Sequence, residues 1–276
     1  MRFRQRKQRK RRPTPTKLAI LWGAAASTAQ RESPAHLKWL AMSSILAIET
    51  SAHIGAIALM QDDTRPDHVF CELVRDEAKL SAWVLPAIER VQAAANLSLR
   101  DVDAIAFGAG PGSFTGVRTA CATAQALAYA WQKPLITVDS LEALAEACGA
   151  PRISVVLDAR MNEVFAASFE RTASGTLVRL SATTVGAPQA FQPADGALLI
   201  GSGANLIAPS PDGETRHASA EATAAAETAW AHGVARIAAR KLSRGETTPA
   251  CDAEPLYVRN SVALTEAERA ARAGSR

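Results

Sequence analysis

The 276-residue chain predicts an α/β protein of two lobes, each a mixed sheet flanked by helices. Three observations carry that prediction. The first half alternates extended and helical periodicity in the order β-β-β-α-β-α-β-α. The second half opens in the same way, with an apolar strand answered by a hairpin partner. Both opening strands end on a carboxylate, Glu49 and Asp158. This order fits the ribonuclease-H-like half of actin-like, Hsp70-like and sugar-kinase-like architectures. Two matching points hint at duplication without establishing it.

The elements follow in turn. Residues 44–50, 54–60 and 68–74 are short apolar runs separated by polar turns, so they read as an antiparallel meander. From residue 78 to 97 the period becomes helical, with Leu80, Val84, Ala87, Ile88, Val91 and Ala95 on one stripe. Pro86 falls inside it and predicts a kink or restart. DAIAFG (103–108) is a buried strand, followed by a glycine-rich loop and a helix over about 115–131. PLITV (134–138) is a strand, and a helix begins at Ser140, where Asp139 and Glu142 have capping-box spacing. In the second half, 152–158 and 163–170 form a hairpin, 198–203 a strand and turn, and 221–242 an Ala-rich helix. The predicted division is a basic extension over 1–41, a first lobe over 42–150 and a second over 151–276. A C-terminal segment is expected to return to the first lobe.

The net charge of +4 conceals an asymmetry. Residues 1–41 hold eleven Lys/Arg against one acid, Glu32, so the remainder is acidic by six. The basic balance therefore gives the body no nucleic-acid-binding signature. MRFRQRKQRKRRPTPT is too charged and too poor in apolar residues to fold. An over-long start, with Met42 as first residue, is the leading reading of this extension. A disordered basic arm and an export signal are the alternatives. No apolar run approaches the ~20 residues of a membrane-spanning helix. Cys71, Cys121, Cys148 and Cys251 lack CxxC spacing, which fits a reducing cytoplasm.

The stretch GAGPGSFTGVR (108–118) invites a phosphate-binding reading but fails the strict tests. Val117 and Arg118 stand where a P-loop needs Lys and Ser/Thr, and Ser113 replaces the third glycine of a dinucleotide fingerprint. Gly110, Gly112, Ser113, Thr115 and Arg118 remain candidate nucleotide or anion contacts. Ala120, Ala124 and Ala128 recur every four residues, a spacing that suits close packing on the chain's own sheet or on a partner's helix. Glu49 and Asp158 are candidate cleft carboxylates, for Mg²⁺ or acid–base work or simply as turn caps. The five histidines have no metal-binding spacing, and no nucleophile motif is present, so no metal site and no catalytic residue is predicted.

ILAIETS, GAGPGSFTGVR, VDSLEALA, DARMNEVF and PLYVRN occur in this order, and together they resemble the TsaB (YeaZ) family. The resemblance covers about residues 44–260. It implies a two-lobed actin-like (ASKHA) fold and a cytoplasmic, non-catalytic scaffold. That scaffold would pair with a TsaD-like paralogue and a TsaE-like ATPase to transfer a threonylcarbamoyl group to the adenosine next to the tRNA anticodon. Contact with tRNA would be indirect, through the complex. A homodimer is a candidate form of the isolated chain. No intrinsic cofactor is implied, although ATP or ADP is a candidate at the subunit interface. The partner surface expected from it is two helices, one carrying Leu80, Trp83, Val84, Ala87 and Val91, the other Ala120, Ala124 and Leu127. The alternative is a stand-alone ATP-dependent or M22-type, metalloprotease-like enzyme of the same fold. Glu49 departs from the family's more frequent Asp, and DEAKLSAWVLP (76–86) lacks its usual His-Ser pair.

Overall fold

The computed structural model describes residues 43–62, 64–65, 68–76, 79–208 and 215–259. The basic N-terminal extension, and every expectation placed on it, lies outside them.

The first sheet contains β1 (Ile45–Glu49), β2 (Gly55–Met60), β3 (Val69–Val74), β4 (Ala104–Gly108) and β5 (Leu135–Val138), in the order β3-β2-β1-β4-β5. β1, β2 and β3 are antiparallel neighbours, and β4 and β5 run parallel to β1. The second sheet has β6 (Arg152–Arg160), β7 (Glu163–Arg171), β8 (Leu177–Arg179), β9 (Thr184–Gly186), β10 (Leu198–Ile200) and β11 (Arg216–His217). Its order, β8-β7-β6-β10-β11, repeats the first sheet's topology strand for strand, with β9 as an extra partner of β7. The duplication hinted at by the two strand-ending carboxylates is thus present in the connectivity.

Helices α1 (Leu80–Ala95) and α2 (Phe114–Trp131) cover one face of the first sheet. Leu46 and Ile48 of β1, Ile57 and Leu59 of β2, and Ile105 and Phe107 of β4 pack beneath them. The alternate residues, such as Ile45, Ala47, Ala58 and Met60, face the other way, as strand geometry requires. They meet a middle layer made by α3 (Ser140–Cys148) and α5 (Trp230–Ser243). That layer shares one apolar core with β6 and β7, so the two lobes have a common interior. Among the described residues, the far face of the second sheet carries a small cluster of Val156, Val164, Ala166, Leu199 and Ile207, with Phe191 and Ala204 packed against it.

Three expectations change. The single helix expected over 221–242 is two, α4 (Ala220–Thr228) and α5, divided at Ala229. The break lets Trp230 turn fully inward, where its Nε1 donates to the Ser140 carbonyl at 2.8 Å. Gly233 follows, with a Cβ that would lie 2.2 Å from the Ala143 carbonyl, so α5 is pressed tightly against α3. Second, α5 comes from the chain's second half but packs on β1, β2, β4 and β5 of the first. Third, α1 runs through Pro86 without ending, because Pro86 lies on the exposed face.

Candidate functional site

The glycine loop is built around the turn that follows β1. A Cβ on Gly112 would lie 1.9 Å from the Ser51 carbonyl oxygen, and one on Gly116 would lie 1.8 Å from that of Thr50. Only glycine permits this approach. The contact is sealed by hydrogen bonds: Ser113 N donates to Ser51 O at 2.5 Å, and Thr50 Oγ1 donates to Gly116 O at 2.7 Å. Gly110 donates its N–H to Ser140 Oγ at 3.1 Å and accepts from Ser140 N at 2.8 Å. Ser113 Oγ caps α2 by accepting from Gly116 N. The amides of Gly110 and Ser113 are therefore engaged within the chain, while Gly112 and Ser113 also line the cleft. Gly112 serves the packing against Ser51, while Thr115 and Arg118 are exposed.

The two carboxylates do not form a pair. Glu49 is fully buried and accepts from Ser51 N at 2.7 Å and Ser140 Oγ at 2.8 Å. Burial pushes its carboxyl above the ordinary glutamate value, while hydrogen bonds from Ser51 and Ser140 pull the other way. It locks the end of β1 to the start of α3 and is absent from the cleft lining. Asp158 does line the cleft, but its carboxylate turns back on its own hairpin, accepting from Arg160 N at 2.7 Å.

The cleft itself, about 330 Å³, opens between the lobes. Its walls are the β1–β2 turn (Ser51–His53), the glycine loop, the β6–β7 hairpin and residues 256–259. At its mouth the Arg118 guanidinium stacks on Phe114, 3.3 Å from the ring centroid, and sits 5.3 Å from that of Tyr257. Phe114 and Tyr257 are both half-exposed. Sequence reasoning missed these aromatics. The signal was available, since the chain has only two tyrosines and both, Tyr129 and Tyr257, are on the surface.

The expected partner stripe is corrected most clearly. Leu80, Val84, Ala87, Val91, Ala120 and Ala124 are all at most 2% exposed and lie in the chain's own interior. Trp83 and Leu127 are half-buried at its margin. An amphipathic helix on a sheet turns its small and branched stripe inward, and no second helix can reach that stripe. The outward faces instead carry Ala82, Leu85, Ala93 and Ala94 on α1, and Ala122, Ala126, Tyr129 and Ala130 on α2. Leu85 is 55% exposed and Tyr129 75%.

Elsewhere, Glu146 of α3 is completely buried among Arg171 of β7 and Arg236 and Arg240 of α5, at 3.0, 3.3 and 3.1 Å. Burial raises its carboxyl, but the three guanidiniums outweigh that and hold it below the ordinary value. All four thiols are free, and burial pushes that of Cys71 up to about 12. Among the described residues, no three His, Cys, Asp or Glu side chains are placed to hold a metal ion, and no helix is long and apolar enough to cross a membrane.

Two copies of one ribonuclease-H-like topology, sharing an interior and enclosing a cleft, define a two-lobed actin-like protein. A family model described as TsaD, tRNA N6-adenosine threonylcarbamoyltransferase, matches residues 77–263. The tRNA threonylcarbamoyladenosine biosynthesis protein TsaB of Escherichia coli is 32% identical over 238 residues, 79% of this chain and 96% of that protein. The solved structure of YeaZ from Pseudomonas aeruginosa is 28% identical and superposes with a TM-score of 0.65, over 78% of this chain and all of that one. A tRNA N6-adenosine threonylcarbamoyltransferase of Wolbachia pipientis is 35% identical over a shorter stretch, 38% of this chain and 34% of its own. The chain belongs to the TsaB family of tRNA threonylcarbamoyladenosine biosynthesis proteins.

Proposed function

We propose that this protein is a cytoplasmic, non-catalytic subunit in tRNA threonylcarbamoyladenosine formation. It supports a TsaD-like paralogue that carries the chemistry and works with a TsaE-like ATPase; tRNA is reached through that assembly. The observation that carries the reading is the outward face of α1 and α2. The two helices on one sheet leave Leu85, Tyr129 and several alanines in solvent beside charged residues such as Glu89 and Arg90, a partly apolar surface suited to another pair of helices. Further support comes from the carboxylates, which are spent on the protein's own turns. The four free thiols suit a reducing compartment. Arg118 and Thr115, exposed at the start of α2, and Gly112 and Ser113 in the cleft wall are the groups offered to a nucleotide at a subunit boundary. The relatives at 32% and 35% identity are both named for tRNA threonylcarbamoyladenosine formation, which supports the subunit reading over the protease-like alternative.

The test is co-expression with the same organism's TsaD-like paralogue, followed by size-exclusion chromatography and assay of each fraction. The pair should co-elute, and the chain alone should turn over neither ATP nor peptide. Robust turnover by the pure chain, abolished by Asp158→Ala, would overturn the scaffold reading.

A further inference from the structure

Residues 253–259 cross from one lobe to the other along the mouth of the cleft, and their two ends are held very differently. The approach to the first lobe is held at several buried or half-buried points. Thr248 N donates to Leu135 O at 2.8 Å, and Gln125 Nε2 donates to Ala250 O and Ala253 O at 2.8 and 3.0 Å. Leu256 N then donates to Ala109 O at 2.7 Å, extending the end of β4. Ala253 itself is buried against α2.

At the second lobe Val258 packs against the shared apolar core, and the hydrogen bonds among the described residues come from one side chain. Arg259 Nη2 donates to the Ala159 carbonyl at 3.2 Å and to the Glu163 carboxylate, and its guanidinium sits 6.0 Å from the Phe165 ring. Ala159 and Glu163 flank the β6–β7 turn. In that turn Arg160, Met161 and Asn162 all have positive φ, at 62°, 56° and 60°. Three consecutive non-glycine residues in the left-handed region persist only where their surroundings hold them there. Arg259 is one such hold, and the turn it grips is the second lobe's lip of the cleft.

We infer that residues 253–259 form an interlobe latch, anchored on the first lobe and fastened to the β6–β7 turn of the second, among the described residues, by the side-chain hydrogen bonds of Arg259. The pair it makes with Glu163 is partly solvated, with side chains 24% and 38% exposed. It is therefore the weakest link along the strap and open to competition from salt or from an anionic group entering the cleft. The middle layer of α3 and α5 stays packed as the pivot. Releasing Arg259 removes these hydrogen bonds from the lip, while Val258 stays against the shared interior. This inference stands on the strap's own geometry and is independent of the proposed assembly.

The test places spin labels on either side of the cleft, at Thr115→Cys and Met161→Cys, in a Cys251→Ser background. Both positions are exposed. Distances are read by pulsed dipolar spectroscopy on the full chain. The parent should give one narrow distribution. Arg259→Ala should broaden it and shift it to longer values, with cooperative unfolding retained. Arg259→Lys, which keeps the charge, should restore part of the narrow component. Gln125→Ala, on the anchored side, should leave the distribution narrow, because the Thr248 and Leu256 anchors remain. An Arg259→Ala distribution superimposable on the parent would overturn the latch. So would an equal shift in Gln125→Ala, or broadening accompanied by loss of cooperative unfolding.

Discussion

Gly116→Ala tests whether the glycine loop is a packing device. In an isolated helix the substitution would stabilise by about 1 kcal/mol, since glycine is the poorer helix former. Here the new methyl would sit 1.8 Å from the Thr50 carbonyl oxygen, where ordinary contact begins near 3.4 Å. A Cβ has no rotamer to escape by, and the atom it meets is backbone. The start of α2 must therefore retreat from the β1–β2 turn by more than an ångström. Doing so stretches the Thr50 Oγ1–Gly116 O and Ser113 N–Ser51 O bonds, both in buried or nearly buried surroundings. Each is worth about 1 kcal/mol net, and 1–3 kcal/mol if its groups are left unsatisfied. After subtracting the helical gain of about 1 kcal/mol from about 2–6 kcal/mol, the loss is about 1–5 kcal/mol. For a folded body of this size that is roughly 2–20 °C in melting temperature, read by circular dichroism. Gly186→Ala, with nothing within 4 Å of the added methyl, is the control and should barely move. A Gly116→Ala protein melting at or above the parent would refute the argument and return the loop to ligand binding.

Three further outcomes are expected. Ala124→Arg places a charge in the interior and should unfold the isolated chain, costing several kcal/mol, whereas Ala126→Arg should leave the chain folded yet weaken pairing with the TsaD-like paralogue about a hundredfold, near 2.7 kcal/mol, by calorimetry. Glu146→Gln leaves three arginines facing a neutral group and should cost about 3–5 kcal/mol in urea unfolding. Because the folded carboxyl is held below the ordinary 4.5, its contribution is complete above that value and drains away as pH falls, so the variant should lose that part of the parent's acid sensitivity. Glu49 has the opposite sign: its folded carboxyl lies above 4.5, so the stability it confers is greatest below 4.5 and declines as pH rises through the folded value. Glu49→Gln cannot ionise, so its unfolding midpoint relative to the parent should improve with rising pH.

The sequence was most informative where periodicity is imposed by one buried face. β1 to β5 and α1 to α3 lie within two or three residues of where alternation, stripes and caps placed them. Asp139 caps α3 as its spacing suggested, accepting from Leu141 N and Glu142 N. The break at Ala229 was hidden because alanine fits helix, turn and core alike, and only the burial of Trp230 makes it visible. The partner stripe was misplaced for a related reason. Small residues every four positions say that something packs closely, but not whether it is the chain's own sheet. What marks the outer surface is the residue out of phase with the stripe, as Leu85 and Tyr129 are. Arg259 and Glu163 are far apart in sequence, and nothing local announces that they meet.

Helix α5 has a consequence for how the chain comes to be folded. The first sheet is complete by residue 138, yet one of its faces waits for residues 230–243. A nascent chain that has emerged only through the first lobe therefore displays Ile45, Ala47, Ala58 and Met60 to water. These long-range contacts close late, after the second sheet has been synthesised. Biosynthesis thus treats the two halves as a single unit. A fragment ending near residue 150 should be captured by chaperones or precipitate, and adding back residues 151–259 in trans should rescue it.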